Sequence, residues 1–243
     1  MAINFAILDI LRKVIASVPN RPLTMVTAGY PDILVTREHL EEMFDSTFVD
    51  ALQVRPDSES IIRWHRLEGK VRAIYETRHF FSLLGVEITS IDIVQARGDE
   101  TIQDLNGPLQ PGLEQKFDIV FDGGTLEHCF NIAQAVRNFL GMAKVGGYIL
   151  HANPFNMPNH GFYNLNPTFY ADFYESNGHR LASEIRAVTT DFSKPQFLVL
   201  RNTARFSTNL PEATLTAVAQ KQNDRPPIWP IQTKYRNNPT LAG

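Results

Sequence analysis

One stretch constrains this chain more than any other: FDIVFDGGTLEHCFNIAQAVRNFLGMAKVGGYIL, residues 117–150. An apolar run, Phe117–Phe121, breaks at Asp122-Gly123-Gly124, a helical spacing takes over, and Gly146-Gly147 open a second apolar run, Gly147–Ala152. Runs this short, bounded by turn residues, read as buried strands. Between them Asn131 is a good N-cap, with Gln134 placed to complete a capping box. Ile132, Ala135, Val136, Phe139, Leu140 and Ala143 then share one helical face. Strand, helix and strand in succession predict parallel strands with helices laid against them.

The same alternation extends over most of the chain. Leu23–Ala28, Glu87–Ile93 and Thr101–Asp104 are further strand candidates, as are segments around Leu181–Val188 and Gln196–Leu200. Residues 1–18 carry apolar positions suited to an amphipathic helix. Asp9, Arg12 and Lys13 interrupt any signal-peptide core there. Thr36 is a cap for a helix through Leu40 and Met43, and Asn166-Pro167 starts another that stops at Asn177-Gly178. A long helical stretch is expected from Glu59 to Leu84, with Gly85 as its stop. The expected fold is α/β: a Rossmann-like, doubly wound, mainly parallel sheet with helices on both faces. One domain is assigned to residues 1–206, with a helical insertion at about 45–85. Residues 207–243, polar and proline-containing, are read as a C-terminal tail.

Composition narrows the function classes. A net charge of −3 over 243 residues supplies no basic footprint for nucleic acid. No apolar run approaches the roughly 20 residues a membrane span needs. Cys129 is the single cysteine, which excludes an intrachain disulfide and suits a reducing, cytoplasmic setting. The seven histidines show no H-x-x-x-H or H-E-x-x-H spacing, so no metal site is expected. No G-x-S-x-G elbow points to a serine hydrolase.

The polar residues of interest fall at strand ends, where an open parallel sheet binds its ligands. Gly29 follows the first strand, Asp92 closes the second, Asp104 the third and Asp122 the fourth. A carboxylate at the second end accepts hydrogen bonds from ribose hydroxyls, and a glycine at the first allows close backbone approach. The same aspartates also have an ordinary role open to them, capping helices or satisfying loop backbone.

At residues 117–150 the chain resembles the class I S-adenosylmethionine-dependent methyltransferases, and more narrowly a bacterial branch with FDGGTLEH-x-FN and HGFY-x-x-x-P segments. The second segment is here His160–Pro167. The resemblance implies S-adenosyl-L-methionine as cofactor, held by Gly29, Asp92, Asp104 and Leu105, with Asp122 and Gly123 bordering the cleft. It also implies in-line methyl transfer to a small-molecule, glycan or peptide-linked acceptor. His128 and His160 are the candidate bases and Tyr163 a hydroxyl or aromatic wall. Each histidine could instead only brace its loop. Where the family carries G-x-G-x-G, this chain reads Val26-Thr27-Ala28-Gly29-Tyr30-Pro31-Asp32. That departure keeps a second reading open: a non-catalytic binding or scaffold protein on the same fold. The tail and the helical insertion are the segments through which copies of the chain would associate.

Overall fold

The computed structural model describes residues 2–190, 195–200, 207 and 209–236. The chain divides into two compact units, residues 1–103 and 104–243, where a single domain and a tail were expected. Both are α/β, with parallel strands joined through helices that flank them, the class the sequence implies.

In the first unit β1 (Ala2–Ile3) leads into α1 (Phe5–Ser17), the expected amphipathic helix. Asn4 caps it by accepting from the Ile7 amide at 3.0 Å, and Leu8, Leu11, Val14 and Ile15 face inward. Strands β2 (Leu23–Ala28), β4 (Val86–Asp92) and β5 (Thr101–Ile102) are parallel, in the order β2-β4-β5. A short β3 (Asp32–Ile33) pairs parallel with β1. Helices α2 (Arg37–Met43), α3 (Ser46–Ala51), α4 (Ser58–Trp64) and α5 (Thr77–Leu83) follow β3. Thr36 caps α2 as expected, accepting from the His39 amide at 3.1 Å.

The single long helix expected over Glu59–Leu84 is not formed. Arg66 takes a φ of 54° and Gly69 one of 74°, which ends the helical geometry after α4. Tyr75 instead makes bridges to Ile33 and Val54 before α5 begins.

The second unit contains β6 (Phe117–Asp122), α6 (Ile132–Met142), β7 (Ala143–Pro154), α7 (Pro167–Ser176), β8 (Arg180–Leu181), β9 (Arg186–Thr189), β10 (Phe197–Val199), β11 (Ala213–Gln220) and α8 (Thr233–Arg236). Its strand order is β10-β9-β11-β7-β6, with β8 also on β11. β6 and β7 run parallel, the pair foreseen on either side of α6. Asn131 caps α6 through a 3.3 Å bond from the Gln134 amide. The reciprocal half of the capping box is not formed, because the Asn131 amide donates to Asn106 Oδ1 at 2.9 Å, while the Gln134 side chain donates to Asn138 at 2.8 Å. The helix stops at Met142, earlier than the glycine pair, and β7 starts at Ala143.

The expected tail is corrected by β11. Ala213–Gln220 is a buried strand, antiparallel to both β7 and β9. β-branched Thr214, Thr216 and Val218 alternate with Ala213, Leu215, Ala217 and Ala219, and nearly all are buried, which fits a strand covered on both faces. The stretches 201–206 and 237–243 of the tail and its border lie outside the described residues. Among the described residues no helix is long and apolar enough to cross a membrane.

Candidate active site

In the first unit the register Ala28↔Ile91 sets Gly29 and Asp92 at neighbouring carboxyl ends of parallel strands. Gly29 has φ 85°, a left-handed turn that a side chain would resist, and its amide donates to the Ile91 carbonyl at 2.7 Å. Asp92 is half-buried. Its Oδ1 accepts from the Ile93 amide at 2.7 Å and more weakly from Val94, while Oδ2 takes no hydrogen bond from the described residues. One carboxylate oxygen is therefore committed to the turn and the other is open.

The chain after Gly29 is held by a dense polar network rather than by a glycine-rich loop. The Tyr30 hydroxyl is bonded to the Glu76 carboxylate, and the Arg97 guanidinium lies 4.0 Å from the ring centroid. Burial and the Glu76 bond push the phenol up to about 12. Asp32 bridges buried Arg55 at 2.5 Å and His65 at 3.0 Å.

In the second unit the end of β6 carries a fully buried polar network. Asp122 pairs in register with His151, and Oδ2 of Asp122 lies 2.8 Å from His151 Nδ1 and 2.9 Å from Asn153 Nδ2. Oδ1 accepts from the amides of Thr125 and Leu126 at 3.0 and 3.1 Å, which folds the Gly123-Gly124-Thr125 turn over the strand end. With Nδ1 donating to the carboxylate, His151 Nε2 is left to accept from Tyr174 Oη at 2.6 Å. Tyr170 completes the set by donating to Asn153 Oδ1. Burial drives both tyrosine hydroxyls well above their ordinary pKa.

Asp122, which the resemblance places at the border of the cleft, is fully buried. Among the described residues its bonds go to β7 and to the amides that lead into the 3-10 turn Leu126–His128. Gly123 is buried in the same turn. Asp104 is exposed but turned back on its own loop, accepting from the Asn106 amide at 2.8 Å and from its side chain at 2.9 Å, which holds its carboxyl below the usual range. Leu105 is buried, and its carbonyl accepts from Asn138 at 3.1 Å. Asp92 and Asp104 fall in different units.

The turn after β6 does bring the two candidate bases together. The His128 and His160 rings lie 5.4 Å apart between centroids, tilted by 37°, with both side chains about half exposed. Partial burial, then the neighbouring His160, holds His128 below the usual imidazole value. Beneath them Glu127 is fully buried, its Oε2 accepting from Asn153 Nδ2 at 2.9 Å. Burial, then the charge of Asp122, pushes the Glu127 carboxyl up to about 7. The loop bearing His160 sits on this turn through the Phe162 amide, which donates to the Glu127 carbonyl at 2.9 Å. Only glycine fits beside it: a Cβ on Gly161 would meet Glu127 Cγ at 2.8 Å. Tyr163 ties the same two loops, donating to the Phe130 carbonyl at 2.9 Å, so its hydroxyl is already engaged.

Two residues that sequence reasoning passed over also stand here. Phe130 and Phe162 are strongly exposed and meet edge to face at 5.4 Å. Paired exposed aromatics next to polar side chains are a signal of ligand contact rather than of a core. Cys129, between His128 and Phe130, is buried, and its thiol is pushed up to about 12 by burial, which makes it a poor nucleophile.

No protein-family model matches the chain, and no curated protein matches it. Among solved structures it is similar to 1,6-didemethyltoxoflavin-N1-methyltransferase of Burkholderia thailandensis, solved with 1,6-didemethyltoxoflavin and S-adenosylhomocysteine (13% identity, 90% of this chain and 76% of that one, TM-score 0.46). A SAM-dependent methyltransferase from Archaeoglobus fulgidus aligns at 12% identity over 89% of this chain and 92% of the other, TM-score 0.48. The citrinin polyketide synthase CMeT domain aligns at 11% identity and TM-score 0.47 over 88% of this chain, which spans about half (51%) of that one.

Proposed function

We propose that this chain is an S-adenosylmethionine-dependent methyltransferase acting on a small-molecule, glycan or peptide-linked acceptor. The observation that carries the reading is the Gly29–Asp92 pair: a turn free of side chain beside a carboxylate with one open oxygen, at adjacent ends of parallel strands. The open carboxylate oxygen suits a ribose diol, whose hydroxyls donate to it. The methyl donor supplies the electrophilic carbon and the thioether leaving group. The protein's share is to align the acceptor and keep water away.

In the second unit, we assign His128 and His160 to the acceptor. Their half-exposed imidazoles can take the proton of a hydroxyl or ammonium group, and Phe130 and Phe162 give an acceptor an apolar wall. The Asp122–Asn153–Glu127 chain beneath them is positioning structure.

A second reading, a binding or scaffold protein on this fold, is favoured by the locked Tyr30–Asp32 network that stands in place of a glycine-rich loop. Calorimetry with S-adenosylhomocysteine separates the two. Micromolar binding that disappears in Asp92→Ala supports the methyltransferase. No heat at millimolar ligand supports the scaffold.

A further inference from the structure

Glu127 is an anomaly by ordinary burial rules, because a fully buried carboxylate normally has every oxygen paired. Its Oε2 is taken by Asn153, but its Oε1 has no hydrogen-bond partner among the described residues. What faces Oε1 is a pair of imidazole nitrogens, His160 Nε2 at 3.5 Å and His128 Nε2 at 3.8 Å. The three atoms lie within 4.8 Å of one another. They come from two separate loops pinned together by the Phe162–Glu127 and Tyr163–Phe130 bonds.

We infer that Glu127 Oε1, His128 Nε2 and His160 Nε2 form a three-donor site for one divalent first-row transition ion of the Zn²⁺ class. Two imidazoles and one carboxylate suit such ions, whereas calcium and magnesium call for oxygen ligands throughout. An ion about 2 Å from each donor would need them about 3–3.5 Å apart. The closure required is small, and it falls on two half-exposed imidazoles that are free to turn rather than on the buried carboxylate. Asn153 supplies what metal sites need behind the ligand, a fixed hydrogen bond on the non-ligating oxygen. Two fully buried carboxylates, Asp122 and Glu127, sit on either side of that one amide, and a dication supplies the charge they lack. The remaining coordination positions open toward solvent beside Phe130 and Phe162, where a bound water or acceptor hydroxyl would be made more acidic and release its proton to bulk water.

The sequence expectation of no metal rested on the absence of a helical His pair. The ligands here are an adjacent Glu-His and a His from the loop after β7, a combination that spacing rules do not register. With the ion bound, both Nε2 lone pairs are taken up as ligands, so the two imidazoles then act on an acceptor through the ion and no longer as free bases; the inference does not depend on the methyl donor.

The test is zinc competition against a chromophoric chelator, using the full chain free of any tag and stripped of metal. One Zn²⁺ per chain is expected, weakened at least about tenfold in His128→Ala and in His160→Ala, both exposed positions whose loss leaves the fold intact. Co²⁺ should give visible bands of low coordination number that vanish in both variants. Zinc binding equal in the wild type and the His128→Ala/His160→Ala double variant would overturn the site, as would a Co²⁺ spectrum identical to that of the hydrated ion. Asp92→Ala should leave the zinc stoichiometry unchanged, so this site and the nucleoside reading fail separately.

Discussion

Asn153 donates through Nδ2 to Oε2 of Glu127 at 2.9 Å, and the same nitrogen reaches Asp122 at 2.9 Å. One amide on β7 thus restrains two buried carboxylates carried by β6 and the turn that follows it. Removing it leaves both without that donor. Asn153→Ala should therefore destabilise the protein by about 2–4 kcal/mol in urea unfolding at neutral pH. A loss below about 0.5 kcal/mol would mean that water replaces the amide without penalty.

Gly161 is the point where the loop bearing His160 touches Glu127. A methyl group there meets Glu127 Cγ at 2.8 Å and its carbonyl oxygen at 2.9 Å. Both are inside a buried turn and cannot swing away. Gly161→Ala should cost about 1–3 kcal/mol and raise the mobility of the His160 ring, read by thermal melting and by histidine NMR linewidths. An unchanged melt with sharp His160 signals would contradict the packing.

His179 is buried with Lys221 and Arg225 nearby, and its Nδ1 accepts from the Gln222 amide at 3.2 Å. Burial first, then the two cations, hold it at about 4, against 6.5 for a free imidazole. The folded state therefore prefers the neutral ring. Its contribution is complete above pH 6.5 and falls away as the pH drops toward 4, because the unfolded chain takes up the proton first. The loss should be of order 1–3 kcal/mol across that window. Denaturant titrations at pH 7 and pH 5 measure it, and His179→Gln should flatten the difference.

Asp92 offers one open oxygen, Oδ2, and its Oδ1 caps only the two following amides. Asp92→Ala should lower affinity for S-adenosylhomocysteine at least about tenfold, equivalent to about 1.4 kcal/mol, while the melting temperature drops by no more than a few degrees. Wild-type affinity in the variant would remove the ribose assignment.

β11 makes its own prediction. A chain ending after residue 206 should fail to yield folded second unit, because β7 and β9 each lose a neighbour. Soluble yield and near-ultraviolet circular dichroism test this; a native spectrum from the shortened chain would make the segment an appendage after all.

Much of the architecture was legible because short apolar runs were bounded by turn residues. Leu23–Ala28 carries its own boundaries, and the Phe117–Leu150 stretch spells out a strand, a helix and a strand. β11 was not legible, since alanines and threonines give little hydrophobic contrast and prolines stand near both ends. The helix expected over Glu59–Leu84 had the right periodicity, but periodicity does not reveal that Arg66 adopts a positive φ. The site was legible in part. His128 and His160 stood out as side chains, and the structure places them together. The burial of Asp122 and the unmatched oxygen of Glu127 were hidden, because both depend on His151 and Asn153, which reach them only through strand pairing.

The placement of β11 between β7 and β9 also bears on how the molecule is made. Each of those two strands waits for a partner synthesised later than itself, so a nascent polypeptide that has not yet extended past Gln220 displays two adhesive edges at once. The pairing of β11 with both strands can close only after residues 213–220 have left the ribosome tunnel. Stalled or slowly translated chains should be the ones that chaperones capture.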